Sequence, residues 1–187
     1  VIPYTLGNYL ADEIRTSAIP TDHPAFVQTE KEVADRLNQL INIKGNQTVE
    51  SFHKRLGKIM WDKCGMARNE AGLKQAIGEI QQLRKEFWQN VRVPGAVNEF
   101  NPELDKAGRV ADFMELGELM CLDALNRSES CGGHFREESQ TEDGEAKRDD
   151  NNFSYVAAWQ MNGDCQWELH KEALSFEIVK PTQRSYK

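Results

Sequence analysis

The stripe Leu73, Ala76, Ile77, Ile80, Leu83, Phe87, Trp88 and Val91 is the strongest constraint on what this chain can fold into. Apolar residues at these spacings keep to one face of an α-helix for about five turns, whereas a strand would scatter them over both faces. Asn69 stands ready to cap the start, and Pro94-Gly95 forbids continuation. A helix this long and this one-sided must bury its stripe against other elements, and the sequence supplies them. Phe26, Glu30, Val33, Ala34, Leu37, Leu40 and Ile41 predict a first bundle helix over about 24–43, with Pro24 in the first turn. After Gly45, Thr48 caps a second, with Phe52, Leu56, Ile59 and Met60 on one face and an end near Gly65. Asn101-Pro102-Glu103 opens a fourth, whose apolar residues from Leu104 to Leu125 occupy more than one face. That one is expected to be the buried central helix. Short connections favour antiparallel neighbours, so the expected fold is mainly α, an up-down antiparallel helical bundle with a spectrin-repeat-like three-helix core. Residues 4–14, with Leu6, Tyr9, Leu10 and Ile14, read as a further short helix whose apolar face has no place in that bundle.

After Arg127 the pattern changes. Residues 137–152 hold seven acidic residues against Lys147 and Arg148, which predicts a solvated acidic loop. Phe153, Tyr155, Ala157, Trp159 and Met161 then alternate, Asn162-Gly163 supplies a turn, and Cys165, Trp167 and Leu169 alternate again. This predicts a small C-terminal antiparallel β-hairpin, with Leu174, Phe176 and Ile178 as a possible third strand.

Composition narrows the function classes. Only 39% of residues are hydrophobic, mean hydropathy is -0.67, and no apolar run approaches the ~20 residues that span a bilayer. A net charge of -7 would repel nucleic acid, whose binding depends on cations displacing counterions, so none is expected as a partner. Cys64, Cys121, Cys131 and Cys165 match neither a disulfide framework nor paired zinc ligands, which leaves reduced thiols in a cytosolic setting as the expectation. The start at Val1, without the zones of a signal peptide, reads as a piece cut from something longer.

Self-contained chemistry is hard to find. His23, His53, His134 and His170 are scattered. Cys131-Gly132-Gly133-His134 puts a thiol beside an imidazole, but two ligands do not complete a zinc site, and two glycines in a turn explain the string more simply. Those glycines lack the preceding strand and following helix of a phosphate-binding loop. Glu142-Asp143-Gly144-Glu145 departs from the calcium-loop pattern. Neither a catalytic, a cofactor-binding nor a metal residue is assigned. Arg127, Glu129, Ser130, His134, Arg136, Arg148 and Asp149 set alternating charges beside small residues, which suits an ion-pair lattice at a domain or subunit junction, or a plain surface lattice.

Several of these strings carry a resemblance. Phe100-Asn101-Pro102-Glu103-Leu104, Met114-Glu115-Leu116-Gly117-Glu118-Leu119, Ala124-Leu125-Asn126-Arg127-Ser128-Glu129-Ser130, Gly132-Gly133-His134-Phe135-Arg136 and Arg148-Asp149-Asp150-Asn151-Asn152-Phe153 follow one another in order. Together with the closing Arg184-Ser185-Tyr186, they resemble the C-terminal part of succinate dehydrogenase and fumarate reductase flavoprotein subunits of bacterial type. Cys131 stands where that family usually has Arg, and Gly133 where it often has Ala, so an ion pair of that arginine is not carried over.

The resemblance implies that residues 1–20 trail from a missing flavin domain, that 21–128 form the helical bundle domain, and that 129–187 form the C-terminal loop and hairpin extension. It further implies FAD in the full-length subunit, bound upstream of Val1, with succinate and fumarate interconverted at the flavin. The implied partners are the flavin domain of the same subunit, an iron-sulfur subunit and a membrane-anchor subunit, on the cytoplasmic face of the inner membrane. The chain itself would be structural and docking, inactive alone, and would bind no cofactor. The same domain of L-aspartate oxidase, which has a similar string, and an independent helical-bundle interaction module are the alternatives.

Overall fold

The computed structural model describes residues 2–10, 20–163 and 166–182. Ile14, Cys165 and the closing Arg184-Ser185-Tyr186 lie outside the described residues. The chain divides into two compact units, Val1–Gln39 and Leu40–Lys187.

The first unit holds α1 (Ile2–Tyr9) and most of α2 (Pro24–Asn42), which begins at the proline the sequence marks. Here the expected packing differs from what is found. Phe26, Val27 and Val33 of the α2 stripe are about half exposed, as are Leu6, Tyr9 and Leu10, and Leu40 is the only buried residue of α2. The 3.6-residue period was enough to make α2 a helix, but not to bury its stripe.

In the second unit the predicted caps are in place. Thr48 accepts from the Ser51 amide to start α3 (Val49–Cys64), Asn69 accepts from Gly72 to start α4 (Glu70–Asn90), and Asn101 accepts from Leu104, with Pro102 next, to start α5 (Pro102–Asn126). These three helices pack on one another and form the up-down core. Its centre is Phe52, Leu73, Ile80, Phe87, Val110 and Met114, all at 1% exposure or less, with the Phe52 and Phe87 rings edge to face at 5.2 Å. Each such side chain contributes roughly 1.5–3 kcal/mol on leaving water, and the α4 stripe supplies Leu73, Ile80 and Phe87 among them.

Two short parallel pairings lock the bundle ends. β1 (Gln47–Thr48) pairs with β3 (Val91–Arg92), tying the start of α3 to the end of α4. Only glycine fits just before β1, because a Cβ on Gly45 would lie 1.9 Å from the Asn90 carbonyl oxygen. At the other end β2 (Ala67–Arg68) pairs with β4 (Phe135–Arg136), joining the α3–α4 turn to the segment after α5.

The expectation for α5 holds on one side only. Leu104, Ala107, Val110, Ala111, Met114, Cys121 and Ala124 are buried, but Phe113, Leu116 and Met120 are 44–53% exposed and line a groove of about 220 Å³ with His53, Leu56, Gly57 and Met60. The hairpin is present as β5 (Tyr155–Met161) antiparallel to β6 (Trp167–Ala173), in the register Tyr155 to Ala173. Phe153 belongs instead to a short helix, α6 (Asp150–Phe153), and residues 174–178 form no strand. Trp159 Nε1 donates to Asp123 Oδ1 at 2.7 Å, fixing the inward face of the hairpin to α5.

Candidate junction site

Where α5 ends, its last carbonyls lack intrahelical partners and the dipole leaves partial negative charge. Arg136 meets both needs. It is 3% exposed, and its Nη1 donates to the carbonyls of Ala124 at 2.9 Å, Leu125 at 3.3 Å and Arg127 at 3.5 Å. Its Nε donates to Glu138 at 3.1 Å, and the other oxygen of Glu138 accepts from the backbone amide of Glu70 at 2.5 Å, at the start of α4. One ion pair therefore places a cation at a helix C-terminus and an anion at the neighbouring N-terminus, each complementary to its dipole. Glu137 reinforces the second end by accepting from Asn69 Nδ2 at 2.7 Å. These two acids are thus anchored while both remain exposed to solvent.

The remaining residues hold Arg136 in place. Ser130 is fully buried and brackets the Arg136 backbone, accepting from its amide at 2.8 Å and donating to its carbonyl at 3.2 Å. Glu129, 2% exposed, accepts from Arg127 Nε at 2.9 Å and from the Asp149 amide at 2.7 Å. Arg127 also donates to the Phe153 carbonyl at 3.0 Å, and its guanidinium lies about 6 Å from the rings of Phe153 and Tyr155. Asp149 caps α6 by accepting from the Asn152 amide at 3.3 Å. Arg148 sits apart, donating to Asp150 at 2.6 Å and to the Thr182 carbonyl at 3.2 Å. Six of the seven residues singled out from the sequence thus form one connected network, with Arg148 at its margin.

His134 bridges two chain segments. Its Nδ1 faces Arg68 Nη1 at 2.9 Å, and because an arginine only donates, Nδ1 accepts and Nε2–H donates to the Arg127 carbonyl at 2.7 Å. Burial holds this imidazole below its ordinary 6.5; the bond to Arg127 opposes that, and the charges of Arg68, Arg136 and Arg127 add to it. The unfolded chain therefore takes up the proton first. Stability from this group is complete above about pH 6.5 and declines as pH falls below it. We expect melting temperature to drop between about pH 7 and pH 5.5, above the main carboxylate range, and a His134→Asn variant to flatten that slope.

Sequence reading missed two members of this end of the bundle. Arg68 gave no signal, because only the β2–β4 pairing brings it to His134. Glu118 was hidden inside the apolar pattern of α5. It is 3% exposed and accepts from Arg84 at 2.6 Å and Gln81 at 2.7 Å, both on α4. Chemically the network can hold and orient chain segments. Each guanidinium in it is engaged by backbone carbonyls or carboxylates. Gly132-Gly133 closes a turn bridged by Cys131 and His134 and leads into no helix, unlike a phosphate-binding glycine loop.

The fold is thus a three-helix bundle whose helix ends are clamped by a buried arginine and which is followed by a hairpin. Residues 53–186 match the family model described as fumarate reductase flavoprotein C-term, so the chain belongs to that family of FAD-dependent oxidoreductase flavoproteins. It is 31% identical over 112 residues to an uncharacterised FAD-dependent oxidoreductase of Methanocaldococcus jannaschii, covering 60% of this chain and 20% of that protein. It is 25% identical over 154 residues to the fumarate reductase flavoprotein subunit of Escherichia coli, covering 82% of this chain and 25% of that one. The fold matches a solved structure of E. coli quinol fumarate reductase with a TM-score of 0.75 at 23% identity, over 89% of this chain and 28% of that chain. The chain thus spans about a fifth to a quarter of the length of these curated relatives. No helix among the described residues is long and apolar enough to cross a membrane.

Proposed function

We propose that this chain is the C-terminal helical domain of the flavoprotein subunit of a succinate dehydrogenase or fumarate reductase. In the whole protein, FAD bound outside these residues interconverts succinate and fumarate, and an iron-sulfur subunit and a membrane anchor carry electrons to or from quinone. The observation that carries this reading is the family match over 53–186, together with coverage of only a quarter of relatives named as fumarate reductase flavoprotein subunits. The domain's part is structural. Residues 1–20 lead from the flavin domain, 21–128 form the bundle, and 129–187 form the extension whose Arg127, Glu129, Ser130, His134, Arg136, Arg148 and Asp149 stiffen a junction. Large apolar side chains left exposed, Leu6 and Tyr9 on α1 with Leu10 just after it, and Phe113, Leu116 and Met120 on α5, support docking against other parts of the complex on the cytoplasmic face of the membrane.

The purified 187-residue chain is expected to be colourless and to show no succinate-dependent dye reduction. Flavin absorbance that survives gel filtration, or dye reduction by this chain alone, would overturn the structural assignment.

A further inference from the structure

Beside the α3–α4 turn the bundle end carries an open recess of about 540 Å³, large enough to take a small molecule. Its lining is Trp61, Cys64, Met66 and Ala67 with two glycines and a single charged residue, Arg68, and it includes no acid. Arg68 is only partly engaged. Its Nε donates to the Gly65 carbonyl and its Nη1 to His134 Nδ1, each at 2.9 Å, and both acceptors are neutral. Among the described residues its Nη2 has no partner and no carboxylate lies within ion-pair distance of it. The acids flanking it in sequence are taken, Asp62 by Lys58 and Glu70 by Lys74. By contrast Arg55, Arg84, Arg127, Arg136 and Arg148 each meet a carboxylate. A half-buried guanidinium with spare donors and no counterion thus stands in a wall that is otherwise apolar. At the same recess Trp61 and Met66 are 84% and 90% exposed, so an indole and a thioether are available to a solute and take no part in the core.

We propose that this recess is a binding site for a small carboxylate with an aromatic or branched apolar body, held by Arg68 through its carboxylate and by Trp61 and Met66 through its body. Each half of the ligand answers one feature of the wall. The carboxylate accepts from the spare Nη2 donors, a charge-assisted bond for which guanidinium is the best-matched cation. The apolar body covers the exposed indole and thioether and keeps water from the ion pair, which strengthens it. An inorganic anion gains only the first of these contacts, and a neutral aromatic only the second. Space is not limiting, because a Cβ added at Gly133 would meet no atom within 4 Å. The surrounding charge has the right sign as well: Arg68, Arg136 and Arg127 together add to the effect of burial in keeping His134 unprotonated.

The test is a titration of the 187-residue chain with sodium phenylacetate at constant ionic strength, followed by the NMR signals of the Met66 methyl and the Trp61 indole. Both should shift saturably, with half-saturation at about 1 mM for a ligand of this size. Acetate, phosphate and benzyl alcohol, which each lack one half of the ligand, should need about tenfold more to do the same. Trp61→Ala changes an exposed side chain and should weaken phenylacetate binding about tenfold, with the melting temperature unchanged. Arg68→Gln should remove the preference for phenylacetate over benzyl alcohol. The inference is overturned if phenylacetate moves neither signal at about ten times the expected concentration, or if phosphate or benzyl alcohol matches it on the unaltered chain. Unchanged affinity in a folded Trp61→Ala also overturns it. Because Arg68 also holds His134, its variant may unfold; the unaltered chain and Trp61→Ala then decide the outcome.

Discussion

An Arg136→Ala variant should unfold about 6–12 °C below the unaltered chain, corresponding to a loss of about 3 kcal/mol at this size. The magnitude follows from what the guanidinium does. Charge-assisted hydrogen bonds to otherwise unpaired helix-end carbonyls contribute roughly 1.5–3 kcal/mol, and a cation at a partly buried helix C-terminus adds up to about 2. The Glu138 pair adds little of its own, because that carboxylate is 45% exposed. Arg136→Lys keeps the charge but loses the planar fork, so it should recover only part of the loss. Thermal denaturation followed by circular dichroism gives the answer. On the structural reading above, the same substitution in the complete enzyme weakens domain docking while leaving KM for the dicarboxylate nearly unchanged. A large KM change at undiminished stability would place Arg136 at the substrate site instead.

Arg84→Ala should have a comparable effect for a different reason. It leaves the Glu118 carboxylate, with 4% side-chain exposure, facing only Gln81 in the core between α4 and α5. Removing one partner of a buried pair costs about 3–5 kcal/mol, most of it the penalty for the stranded charge. Replacing both partners by apolar residues removes that penalty. The double variant Arg84→Met with Glu118→Leu should therefore melt well above Arg84→Ala and close to the unaltered chain. A full double-mutant cycle by denaturant unfolding measures the coupling, and additive single and double effects would refute it.

These two sites show how far the sequence reached. The stripe from Leu73 to Val91 and the caps Thr48, Asn69 and Asn101 were legible because helix period and capping are local, set by neighbours within a few positions. The hairpin was legible for the same reason, with period-two alternation on either side of Asn162-Gly163. The cluster around Arg127 and Arg136 was visible as residue types in order, but its geometry was not. Nothing in the string tells that Arg136 closes α5 while Glu138 opens α4, because both contacts depend on β2 pairing with β4 across 68 residues of sequence. The same holds for Arg84 and Glu118.

The sequence by itself determined that the four long segments α2 to α5 are helices and about where they start and stop, and that a family of flavoproteins shares these strings in this order. Tertiary structure alone decided which apolar stripes are covered, since α2 has as clear a period as α4 yet keeps Phe26 and Val33 exposed. It alone decided which charges are buried and therefore costly to strand. Periodicity is a property of one helix, whereas burial and pairing depend on what stands opposite, which no single stretch of sequence encodes.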